Sequence, residues 1–237
     1  MTARFDRWLA SLVVALAAIV AVPTAAVTQT APSDRDLAIY AGLHAAAANG
    51  DVAEIERLVA GGEQPNIQDS RSRTPLHVAA FRKHHAAAQA LLRLGANPNA
   101  LDADRFDVAT IAAVQNDLEL LKIALAGKAR PGNVTGPYDA TALIAAAHHG
   151  HVEIVGALIE ARAPLDHRNQ LGWTALIVAV VLGNGGKNHT EVVEALVKAG
   201  ADTEVKDRNG TTALGHARSR GYADMVKILA AATGRRT

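Results

Sequence analysis

Ten histidines run through the 237-residue chain. Two groups of them, His84-His85 and His148-His149-Gly150-His151, gather imidazoles closely enough to suggest metal ligation. Neutral imidazole is a common metal ligand. No carboxylate completes a ligand set locally, and the chain contains no cysteine. Other chemistry is also missing its signatures. There is no Gly-rich phosphate loop, no H-E-x-x-H pair and no Ser elbow of the G-x-S-x-G type. Glu54, Glu153 and Glu191 recur near what should be helix N-termini, where the helix dipole favours a carboxylate without any catalytic role. The expectation is no enzyme, no catalytic residue, no cofactor and no metal site. A metal-binding or metal-buffering protein working through the surface histidines is the alternative.

The elements that carry these residues repeat. The segment Thr74-Pro75-Leu76-His77-Val78-Ala79-Ala80 returns in degenerate form at Asp107, Thr141, Thr174 and Thr212, with a weaker copy at Ala41. From Ala41 onward the intervals are 33, 33, 34, 33 and 38 residues. Thr or Asp at the first position can accept a backbone N–H, as a helix N-cap requires. Small residues follow at fixed phase (Ala46-Ala47, Ala79-Ala80, Ala112-Ala113, Ala145-Ala146-Ala147), favouring helix and close helix approach. Gly50, Gly150, Gly183 and Gly221 fall where a left-handed cap would end this first helix, with Lys83 and Asn116 in their place elsewhere. Paired apolar residues at Leu58-Val59, Leu91-Leu92, Leu158-Ile159 and Leu196-Val197 mark a second helix.

A period near 33 with this heptapeptide resembles the ankyrin-repeat family. The resemblance runs from about Asp34 to Ala232. It implies an all-α solenoid of about six helix-turn-helix repeats joined by short β-hairpins, near 37–69, 70–102, 103–136, 137–169, 170–207 and 208–237. The chain departs from the motif in places. Its Pro survives only at Pro75 and its His only at His44 and His77, the residue that normally braces adjacent turns. Ala126 to Gly132 carries one extra residue. The long interval places five extra residues at about Asn184 through Asn188, read as a polar loop between the two helices of the fifth repeat.

The first residues are a separate object. Arg4 and Arg7 precede an uncharged apolar run of fifteen residues, Trp8 to Val22, followed by small residues through Ala26. This is the pattern of a secretory signal over residues 1–26, with a linker at 27–33 and the repeat domain over 34–237. The run is shorter than the roughly 20 residues that span a bilayer. The expected location is the periplasm, with a secreted product as the alternative and no stable membrane insertion after cleavage. Removal of Arg4, Arg7 and Asp6 would leave 22 basic and 22 acidic residues, since the whole chain has 24 and 23. Zero net charge argues against nucleic-acid binding.

The family resemblance implies a protein partner, docked on hairpin tips and the exposed ends of the first helices. By repeat phase those positions include Arg73, Phe81, Arg82, Phe106, Tyr138, His148, His149, Trp173, Val181 and Leu182. Aromatics and Arg dominate binding hot spots, and five of the six aromatics beyond the signal fall on such positions. The expected protein is monomeric on its own. A structural subunit of an envelope assembly, using Val181-Leu182 as a permanent interface, is a further alternative.

Overall fold

The computed structural model describes residues 29–233, so the signal expected at 1–26 lies outside the described residues. A short helix α1 (Asp34–Ile39) leads into six helix pairs. The first helices are α2 (Gly42–Asn49), α4 (Pro75–Phe81), α6 (Val108–Gln115), α8 (Ala142–His149), α10 (Ala175–Val181) and α12 (Ala213–Ser219). The second helices are α3 (Val52–Ala60), α5 (His85–Arg93), α7 (Leu118–Ala126), α9 (Val152–Glu160), α11 (Lys187–Lys198) and α13 (Ala223–Thr233). First helices pack on first helices and second on second, so each pair touches only its neighbours along an all-α solenoid. Among the described residues the only β pairing is two isolated antiparallel bridges, Thr135 with Ala140 and Lys206 with Thr212.

The caps are those the sequence implies. Thr74, Asp107, Thr141, Thr174 and Thr212 each accept the backbone N–H three residues on. The first repeat lacks this cap because Ala41 has no acceptor. Glu63 from the next turn substitutes, its Oε2 accepting Leu43 N–H at 3.1 Å. Gly150 closes α8 at φ 70°, where a side chain would be strained.

Alanine makes the core thin. Ala46-Ala47, Ala79-Ala80, Ala112-Ala113 and Ala146-Ala147 are buried, and the larger filling comes from Leu43, Ile55, Leu76, Leu91, Ile111, Leu120, Leu143, Ile154 and Leu176. Histidine braces the early turns. His44 Nε2 donates to the Arg73 carbonyl at 2.8 Å. His77 Nε2 reaches the Ala100 and Phe106 carbonyls at 3.1 Å each, while its Nδ1 accepts Thr74 N–H. Where that His is lost, the third repeat uses a Thr110–Thr135 hydroxyl bond of 3.0 Å instead.

The fifth repeat departs from the expected loop. Only the stretch from Gly183 to Gly186 is irregular; Lys187 and Asn188 open α11, which has 12 residues against 9 in α3, α5, α7 and α9. Gly186 is extended (φ −76°, ψ 178°) and serves as N-cap, so a polar first turn can face water. Gly183 is not the left-handed cap predicted for it; Gly185 carries the positive φ, 71°. Glycine is required at 183 by proximity, since a Cβ there would lie 2.1 Å from the Ala179 carbonyl oxygen.

Candidate functional site

Four of the five hairpin tips are each built on one Asx side chain, while the tip before Thr141 has Gly136 in that place and is closed by the Thr135–Ala140 bridge. Asp69 Oδ1 accepts the N–H groups of Arg71 and Arg73 at 2.8 and 2.9 Å. Asp102, Asn169 and Asp207 repeat this on the residues two and four further on. The signal was present in the sequence as an Asp or Asn five residues before the capping residue, and it was missed. The tips are also laced to one another. Arg71 meets Asp104 at 3.0 Å, Arg105 meets Asp139 at 3.6 Å, and Gln170 donates to Asp139 at 3.0 Å.

Three of the side chains expected to face a partner are turned inward. Arg73 is 1% exposed, held by Asp69 at 2.7 Å and Asp36 at 3.1 Å, with its guanidinium 6.0 Å from the centre of the Tyr40 ring. Phe106 is buried, its ring lying against Gly136 of the next hairpin. Val181 is buried by the last turn of α10. The reason is common to all three: position by repeat phase gives nearness to the tip, while the side chain's direction is set by contacts from distant elements. Phe81 and Trp173 are half-buried against the core.

The exposed remainder forms two groups on the first-helix layer. Tyr138 is 36% exposed, and its carbonyl accepts Gln170 N–H at 2.9 Å, which sets it beside the tip bearing Trp173. At the other end of the helices lie Leu182, 38% exposed, and the His148-His149 pair on the neighbouring α8. Trp173 and Leu182 bracket the seven-residue α10, so the two groups are about 13 Å apart along the helix axis. Arg82, exposed at the end of α4, extends the helix-end row two repeats away.

The histidine cluster is stacked. His148 and His149 ring centres are 4.6 Å apart, and His149 and His151 5.2 Å, with interplanar angles of 20° and 18°. Burial and the neighbouring imidazoles push His149 down to about 4, and burial also lowers His148. No group of three or more His, Cys, Asp or Glu among the described residues is arranged to hold a metal ion. Among them, too, no helix is long and apolar enough to cross a membrane.

Comparison with known proteins fits this geometry. The family profile described as "Ankyrin repeats (3 copies)" matches residues 33–102, 109–207 and 166–236. The chain is 32% identical over 188 residues to the putative ankyrin repeat protein YahD of Escherichia coli, covering 79% of this chain and 93% of that one. A crystal structure of an ankyrin repeat domain from Acinetobacter baumannii superposes with a TM-score of 0.77 at 40% identity, covering 81% of this chain and 97% of that chain. The ankyrin repeat domain of Bcl-3, of the IkappaB family, gives 0.73 at 28% identity, covering 81% and 86%.

Proposed function

Since the chain belongs to the ankyrin-repeat family, we propose that it is an exported, periplasmic protein-binding module that docks a protein partner on its first-helix layer. Ankyrin repeats are in general non-enzymatic interaction modules, and protein partners are what the family suggests. The observation that carries the reading is the exposed Tyr138 beside the tip that bears the half-buried Trp173, together with the exposed Leu182 and His149 at the ends of the neighbouring helices α10 and α8. These large side chains stand out of a layer otherwise built from alanine and capped by mutually paired charges. Such anchors in a rigid frame suit hot-spot binding. Arg82 and Phe81 continue the row. Arg73, Phe106 and Val181 support it from within.

Export rests on the basic start, the short apolar run and the small residues before Ala26. The test joins both halves. Cross-linking of the mature protein in its own compartment should trap a defined protein adduct, and N-terminal sequencing should find Val27 or a near neighbour. An intact Met1 on membrane-associated protein overturns export, and a Trp173→Ala, Leu182→Asp double variant that traps the same adduct equally well overturns the face.

A further inference from the structure

Two features meet at one junction: the histidine run of the fourth repeat, which the docking reading uses only as an anchor, and the extra residues of the fifth, which it does not use. His189, in the first turn of α11, lies over the end of α8 as His84 lies over the end of α2. Its Nε2 donates to the His148 carbonyl at 3.0 Å, and its ring lies against Gly150, where a Cβ would be 3.1 Å away. Asn184 Oδ1 faces its other nitrogen at 3.2 Å and accepts Gly186 N–H at 2.9 Å. His151 closes the far side, its Nδ1 donating to the Ala113 carbonyl at 2.8 Å. Four imidazoles therefore sit in one patch beside Leu182.

We propose that this four-imidazole junction makes the docking face acid-sensitive: the end of α8 and the start of α11 hold their arrangement while the rings are neutral and part when protons reach the stack. The inference rests on the docking reading above, whose site it regulates.

The charges around the stack give protonation no compensation on the fifth-repeat side. From α8 itself come His148 and His149; from the start of α9, His151 and Glu153; from α11, Lys187 and His189. On α11, Glu191 is paired with Lys187 at 3.7 Å. The α10 end contributes only Val181 and Leu182, and α6 the uncharged Gln115. Asp117 and Glu119 at the start of α7 are engaged by His85 at 2.8 and 3.1 Å. A proton on His149 would face three further imidazoles, with the rings of His148 and His151 centred 4.6 and 5.2 Å off. The sign follows from linkage. The ring is neutral when packed, so packing is at full strength above the ordinary value of 6.5 and weakens as pH falls from there toward about 4. At pH 5 the parted form gains about thirtyfold from His149 if the shift is felt in full, and about tenfold after allowing for the exposure of that ring.

Amide hydrogen exchange of the mature full chain at pH 7.5 and 5.0, corrected for intrinsic rates, tests this with the proton as the only ligand. The expected result is opening of residues 146–151 and 183–190 about tenfold faster at pH 5, measured relative to α3 and α7, which carry no histidine. The His149→Gln and His148→Gln/His149→Gln variants should lose that excess. An acid response equal across all repeats, or one kept by both variants, overturns the proposal. Cross-linking at the two pH values then separates the two readings. A junction that opens while a partner is trapped equally at both overturns the gating. A junction that opens with no partner trapped at either pH leaves the acid response standing and removes the docking reading.

Discussion

Arg73→Ala should cut the first repeat loose from the second. The guanidinium is 1% exposed and lies 2.7 Å from Asp69 and 3.1 Å from Asp36, whose side chains are 9% and 25% exposed. Removing one member of a buried pair costs about 3–5 kcal/mol. The lower end applies here. Asp69 keeps the Tyr40 hydroxyl at 2.7 Å and two backbone N–H groups, and Asp36 is partly in water. About 3 kcal/mol corresponds to roughly hundredfold faster local opening. In a solenoid the loss falls on the adjoining unit more than on the whole, so the assay is hydrogen exchange resolved by helix, with a urea melt beside it. Protection of α2 and α3 should fall by about two orders of magnitude while α8 to α11 barely change. Arg73→Met with Asp69→Asn should lose less than the sum of the two single variants, because the uncompensated charge disappears. If Arg73→Ala leaves α2 protection within threefold of the parent, the burial argument is wrong, and an Arg73 free to meet a partner is the better account.

Trp173→Ala should weaken partner binding by about 2 kcal/mol, the hot-spot scale, with a smaller loss of folding stability; a binding titration and a thermal melt of the same variant compare the two. Asp107 is a buried carboxyl whose value burial pushes up, so its charge opposes folding above the ordinary Asp range. Asp107→Thr keeps an N-cap and should raise the urea midpoint at pH 7 more than at pH 4. His77 is buried and neutral with its value lowered by burial. Stability supported by it is complete above about 6.5 and declines as the solution is acidified below that, which urea midpoints from pH 7.5 to 5 would follow. Deleting Asn184 to Asn188 should leave the fifth repeat folded, since Gly183-His189 would then copy the Gly150-His151 junction; lost protection in α11 would refute this.

The repeat was legible because caps are local. A Thr or Asp satisfies an N–H three residues away, and an alanine pair at fixed phase admits a neighbouring helix whatever lies beyond. What was illegible depends on distant partners. Arg73 owes its burial to Asp36, 37 residues earlier, and no local pattern shows that. Phe106 faces inward because Asp102 turns its hairpin and Gly136 of the next tip leaves room for the ring. The run Asn184-Gly185-Gly186-Lys187-Asn188 reads as a loop on composition alone, yet its last two residues occupy a solvent-facing helical turn that tolerates polar side chains. The histidines show the same dependence: of the five that stand in groups, His84 and His151 are bonded to the Ala48 and Ala113 carbonyls of the preceding repeat and His85 to Asp117 of the next.

The Asx turns have a consequence for how such a chain can change. At Asp69, Asp102, Asn169 and Asp207 a single side-chain oxygen fixes the loop through backbone N–H groups alone. The side chains in between contribute nothing to that shape. Arg71, Asp104, Leu171 and Asn209 are therefore fittings on a preset mount, Arg71 and Asp104 adding only a part-exposed ion pair between two tips. A library randomised at these four positions, with the Asx residues kept, should express as folded protein at nearly the parental rate. Recognition could drift there over generations without the frame having to re-adapt.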